Sequence, residues 1–122
     1  SGDPTAGTMP SKAVLALTNS QTEVRRIFNY APWSGPILFY GQAGWQVAYD
    51  GRLYLYSNSD WHKYFAANAG DLDLSQITSP EAPDAFFLSP KHQGPLISKL
   101  QKATANWLEI YNDPLAVVFI RR

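Results

Sequence analysis

The side chains best suited to bind a ligand lie at or just after two predicted strands. They combine aromatic rings with amide, carboxylate and guanidinium groups, and they are Asn29, Tyr30, Trp33, Asp50, Arg52, Tyr54 and Tyr56. Aromatic rings cover the apolar face of a pyranose, and planar polar groups pair with its hydroxyls. The alternative is structural, a packed aromatic layer with one salt bridge, since tyrosine and tryptophan often lie partly buried with their polar tip paired. The set predicts a sugar site or a small-ligand site.

Catalytic chemistry has weak support in this sequence. General acid–base catalysis of glycoside hydrolysis needs two facing carboxylates, and the spacing of the aspartates requires no such pair. Ser34-Gly35 lacks the flanking glycine of a serine hydrolase elbow. We therefore expect no catalytic residue, and a small hydrolase would need a carboxylate pair near the Trp33 loop with a raised acid pKa.

Metal and cofactor sites are also not expected. His62 and His92 lie far apart without a His-x-x-x-His spacing, and the chain has no cysteine. The glycines in Gly41-Gln42-Ala43-Gly44 lack both the phosphate-loop lysine and the dinucleotide fingerprint, so they are interpreted as turn glycines.

The overall composition excludes two classes of partner. Ten basic residues offset ten acidic ones among 122 residues, so no long-range field attracts nucleic acid or an anionic membrane surface. Hydrophobic residues make up 45% and charged residues 16%, which favours a compact domain over a disordered tail. The longest apolar run is residues 115–120, far shorter than the roughly 20 residues of a membrane helix.

Runs of β-branched and aromatic residues predict about five strands. They cover residues 24–30, 46–49, 85–88, 107–111 and 116–121. The run 85–88 is wholly apolar, as expected for a central strand covered on both faces. Asn112-Asp113-Pro114 is a strong turn signal, so the chain is expected to close with an antiparallel hairpin. Beyond Asp50-Gly51, residues 53–56 form either the second arm of another hairpin or a structured loop.

Helical spacing of apolar residues predicts three or four helices. They are a helix over 11–17 capped by Ser11, one from Asn58 or Ser59 to Gly70, a short turn over 72–77, and the longest from Pro95 to Asn106. Residues 31–36 are expected to form a loop or irregular turn, because prolines lack the donor that a strand needs. The sequence predicts one α/β domain over 10–122, a two- or three-layer sandwich with a mixed sheet; residues 1–9 are a linker or a cloning remnant.

The order of several short motifs resembles that of a known group of proteins. The motifs are Phe28-Asn29-Tyr30 with Trp33-Ser34-Gly35, Tyr49-Asp50-Gly51-Arg52 with Leu55-Tyr56, Pro83-Asp84-Ala85-Phe86-Phe87-Leu88, and the closing segments 107–113 and 115–121. Together they resemble the C-terminal soluble segment of bacterial membrane proteins of the C-type glycosyltransferase group, which are dolichyl-phosphate-mannose mannosyltransferase-like. The resemblance covers roughly residues 10–122.

The resemblance implies an accessory, non-catalytic domain on the periplasmic or extracellular face of an inner-membrane protein. Its partner would be the transmembrane part of the same polypeptide, and its ligand a glycan or a lipid-linked sugar. Asn29, Trp33, Asp50 and Arg52 would be the residues that contact this ligand. The alternative is a freestanding soluble module that binds a carbohydrate or another small ligand.

Overall fold

The computed structural model describes residues 10–20, 23–49, 58–77 and 82–122, and these segments form one α/β domain. The strands are β1 (Arg26–Asn29), β2 (Gln46–Val47), β3 (Ala85–Leu88), β4 (Trp107–Asn112) and β5 (Val117–Arg121). The α-helices in these segments are α1 (Ser11–Thr18), α2 (Ser34–Tyr40), α3 (Asn58–Asn68) and α4 (Pro90–Lys102). Two 3₁₀ turns, Ala31–Trp33 and Leu74–Gln76, complete the described elements. Within these segments, each helix is too short or too polar to cross a membrane.

The five strands form a mixed sheet in the order β2-β1-β3-β5-β4. β1 is parallel to both of its neighbours, β2 and β3. β5 runs antiparallel to β3 and to β4. The chain therefore leaves β1 toward one edge of the sheet and leaves β3 toward the other.

Helices cover both faces of the sheet, so the domain has three layers. Phe28 of β1 and Phe86 of β3 point to one face, where they pack against α3 and α4. Ile27 and Phe87 alternate with them and point to the other face, where they pack against α1 and α2. This period-2 alternation of large apolar residues is what a strand buried between two helical layers requires.

Several sequence predictions are confirmed. β3 is wholly buried at the centre of the sheet, between β1 and β5. Gly70 follows α3 with φ +78°, the left-handed conformation expected of a glycine that ends a helix. The C-terminal hairpin is present, and its turn is held by Asp113, whose Oδ1 accepts the amides of Leu115 and Ala116, each at 2.8 Å.

The prediction of a loop over residues 31–36 was wrong, because the chain there forms a 3₁₀ turn followed by α2. Pro32 lies in the first turn of the 3₁₀ segment, and Pro36 in the first turn of α2. Amides of a first helical turn have no intrahelical acceptor, so a proline loses nothing there. Both prolines exclude a strand as expected, yet both are compatible with a helix start.

The longest helix also begins earlier than predicted, at Pro90 rather than Pro95. Pro95 lies inside α4, and the helix kinks at Gln93, whose φ is −132°. A proline ring inside a helix clashes with the carbonyl one turn earlier, and a local departure from helical angles relieves the clash. Ser11 is the first residue of α1 rather than its cap, and Pro10 occupies the cap position.

The conformation predicted for the residues after Asp50-Gly51 remains a prediction. Gln46–Val47 forms β2, parallel to β1. The two interpretations of residues 53–56, a hairpin arm or a structured loop, lie outside the described residues.

Candidate functional site

A cleft of about 810 Å³ opens at the carboxyl ends of β1 and β3. These strands are adjacent and parallel, and the chain leaves them toward opposite edges of the sheet. In open α/β sheets this is the place where ligands bind, because the diverging connections leave a crevice there. The volume is in the range of small-molecule pockets.

Three segments supply the walls of this cleft. The lining residues are Tyr30, Ala31 and Pro32 after β1, Trp61, Tyr64, Phe65, Asn68 and Ala69 from α3 and its end, and His92 and Pro95 from α4. On α3, the lining positions fall three and four residues apart, so they share one face of the helix. That face borders the cleft.

Aromatic rings form two groups in the cleft lining. Tyr30 stacks flat on His92, with ring centroids 4.7 Å apart and planes 6° from parallel. From α3, the Trp61 ring lies 5.4 Å from Tyr64 and 5.9 Å from Phe65, measured between centroids. The Phe65 side chain is 58% exposed, so much of its surface is available to a ligand.

A chain of hydrogen bonds closes the base of the cleft. The Ala31 amide, just past β1, donates to the Tyr64 hydroxyl at 2.7 Å. The Ser89 amide, just past β3, donates to Gln93 Oε1 at 2.9 Å. Gln93 Nε2 donates to Asn68 Oδ1 at 2.9 Å, and Asn68 in turn shares a hydrogen bond with Tyr64. Side chains of α3 and α4 thus accept hydrogen bonds from the backbone amides that follow the two central strands.

The lining of the cleft is uncharged at neutral pH, histidine aside. Burial raises the pKa of the Tyr64 phenol, and the hydrogen bonds with Ala31 and Asn68 only partly offset this. Burial also raises the pKa of Tyr30. Both phenols therefore stay protonated, and the ten lining residues that the structure describes include no aspartate, glutamate, lysine or arginine. The described lining therefore offers a ligand aromatic faces and a few uncharged polar groups, together with the imidazole of His92.

The candidate ligand-binding residues predicted from the sequence lie in different parts of the structure. Tyr30 lines the cleft. Trp33 is buried on the α1 and α2 face, and its ring meets Phe87 edge-on at 5.9 Å. Asn29 is fully buried and does not line the cleft. Asp50, Arg52, Tyr54 and Tyr56 lie outside the described residues.

Asn29 has a structural task instead. Its Oδ1 accepts the Tyr49 amide at 3.2 Å, and its Nδ2 donates to the Tyr49 carbonyl at 2.7 Å and to the Tyr30 carbonyl at 3.1 Å. The side chain therefore substitutes for a strand partner where β1 and the segment after β2 diverge. This contact holds Tyr49, the residue that precedes the Asp-Gly-Arg motif.

Most of the lining residues are not among the candidates predicted from the sequence. The spacing of Trp61, Tyr64 and Phe65 correctly predicted a helix, but spacing alone does not tell a cleft from a core. His92 carried no signal, because its partner Tyr30 is distant in sequence. Among the described residues, no group of three or more histidine, aspartate or glutamate side chains could hold a metal ion.

Comparison of the chain with protein-family models, curated proteins and solved structures finds no match. The fold and the cleft define the class of protein on their own: a three-layer α/β domain with a candidate ligand-binding site at the carboxyl ends of its central parallel strands.

Replacing Gln93 tests the hydrogen-bonded base. In Gln93→Leu the Ser89 amide and Asn68 Oδ1 lose their partners inside the protein, so the free energy of unfolding should fall by about 2–4 kcal/mol. Urea denaturation measures it. The control is Gln101→Leu on the same helix, since Gln101 is exposed and bonds only Glu109 at the surface; its effect should stay within about 0.5 kcal/mol. Equally small losses of unfolding free energy in both variants would show that the hydrogen bonds of Gln93 do not stabilise the fold.

Replacing Asn29 by aspartate should make stability depend on pH. The new carboxyl would face the carbonyls of Tyr49 and Tyr30, so burial and repulsion raise its pKa above the ordinary value of about 3.9. The folded state then binds this proton more tightly than the unfolded state, and stability is lost as pH rises from about 4 to about 8. Urea midpoints at both pH values, each compared with wild type, check this. An Asn29→Asp deficit that is the same at both would show that Asn29 does not bind these carbonyls.

Proposed function

We propose that residues 10–122 form a non-catalytic accessory domain on the extracytoplasmic face of a membrane glycosyltransferase-like protein. In this proposal its cleft holds part of a glycan or acceptor. The observation that carries the proposal is the aromatic cleft at the carboxyl ends of β1 and β3.

The chemistry of the cleft favours binding over catalysis. A transferase or hydrolase needs carboxylates or other ionisable groups at the reacting bond, and the described lining offers neither a carboxylate pair nor an activated nucleophile. Exposed rings such as Phe65 and the Tyr30–His92 pair instead present apolar faces to a ligand. Any transferase chemistry would then belong to the membrane-embedded part of the polypeptide.

The attachment to a membrane protein is supported by the order of the sequence motifs. Two segments that carry the resemblance, Phe28-Asn29-Tyr30 and the one beginning at Tyr49, meet in the fold through the side chain of Asn29. A third, residues 83–88, contains β3, which pairs with β1. Described residues of motifs that are distant in sequence thus contact one another.

The reading frame upstream of Pro10 tests this proposal. We expect it to encode eight or more apolar segments of about 20 residues, with a carboxylate-bearing loop after the first. A reporter that is active only outside the cytoplasm, fused after Arg122, should then be active. A start codon or a single cleavable signal directly upstream would contradict membership of a membrane transferase and favour the freestanding binding module.

A further inference from the structure

We infer that the cleft takes an uncharged apolar part of its ligand, an alkyl chain or an aryl ring, rather than a sugar ring. This inference rests on the proposed function, because it specifies which part of a glycan-bearing ligand the cleft contacts. The inference follows from the hydrogen bonding of the polar groups around the cleft.

Most polar atoms at the base of the cleft are already bonded to one another. Tyr64 accepts the Ala31 amide and bonds Asn68, and Asn68 Oδ1 accepts from Gln93. Gln93 Oε1 in turn accepts the Ser89 amide. A sugar hydroxyl placed here would lose its water and find few groups to replace it, which weakens binding. An apolar group loses no hydrogen bond on entry.

The walls favour the same ligand chemistry. Apart from the phenol of Tyr30, the imidazole of His92 and the buried indole N–H of Trp61, they are formed by aromatic, proline and alanine side chains. None of the described lining residues is a lysine or an arginine that would pair with a phosphate or carboxylate. A ligand with such a group would keep it outside, in water, and insert its apolar end.

Titration with three glucosides that share one sugar tests this inference. Methyl, phenyl and octyl β-D-glucoside differ only in the group attached to the sugar, and calorimetry of the 122-residue chain, below micelle concentrations, gives each affinity. Each fully buried CH₂ raises affinity roughly fourfold, so the phenyl and octyl compounds should bind at least about tenfold more tightly than the methyl compound. The stronger of the two identifies whether a ring or a chain is preferred.

Two exposed phenylalanines provide a matched pair of variants. Phe65 lines the cleft and is 58% exposed, whereas Phe39 on α2 is 80% exposed on the other side of the sheet. Phe65→Ala should weaken phenyl and octyl glucoside binding about tenfold, and Phe39→Ala should leave it unchanged.

Equal affinity for the methyl and octyl compounds would overturn the inference and leave glycan recognition standing. Equal weakening by both variants would also overturn it, because binding would then not depend on the cleft. If none of the three glucosides binds, the inference fails as well. The upstream reading frame still decides the proposed membrane attachment in each of these cases, since the titration does not address it.

Discussion

The rest of this structure depends on how the backbone is satisfied where β1 and β3 end. Ala31 and Ser89 lie just past the paired strands and are buried, so their amides need acceptors inside the protein. Tyr64 from α3 and Gln93 from α4 supply them, and Asn68 joins the two. This one set of hydrogen bonds ties both helices to the sheet and sets the distance between them, which in turn defines the cleft.

The same hydrogen bonds limit the chemistry of the cleft. Because most of its polar base is internally bonded, the surface left to a ligand is mainly that of aromatic rings, and the described lining contains no aspartate, glutamate, lysine or arginine. The kink at Gln93 belongs to this arrangement, since Pro95 borders the cleft while Gln93 turns inward to meet Ser89 and Asn68. In the proposed function, the domain contributes affinity and orientation, and bond-breaking belongs to other parts of the polypeptide.

The fold was more predictable from sequence than the candidate site. An all-apolar strand such as residues 85–88 buries both of its faces only between two layers of helices. Asn112-Asp113-Pro114 strongly favours a turn. In both places the local sequence pattern was enough to predict the structure. The helix starts near prolines are harder to predict. Pro32, Pro36 and Pro95 each exclude a strand, but a proline alone does not show where a helix begins. In the site, Asn29 was proposed as a ligand contact because its type suits one; its buried contact with Tyr49 is long-range and leaves no local signal.

The most direct test of the account is amide chemical-shift mapping of the chain during addition of phenyl β-D-glucoside. A ligand bound in the cleft should cause its largest changes at Ala31, the Trp61 indole, the Asn68 side chain and His92, which surround the cleft. Two other surfaces provide the contrast: the polar pocket of about 450 Å³ formed by residues 23–26, 42–44 and 46, and the exposed apolar residues 38–40. Changes confined to either surface, with the cleft signals unmoved, would contradict the account.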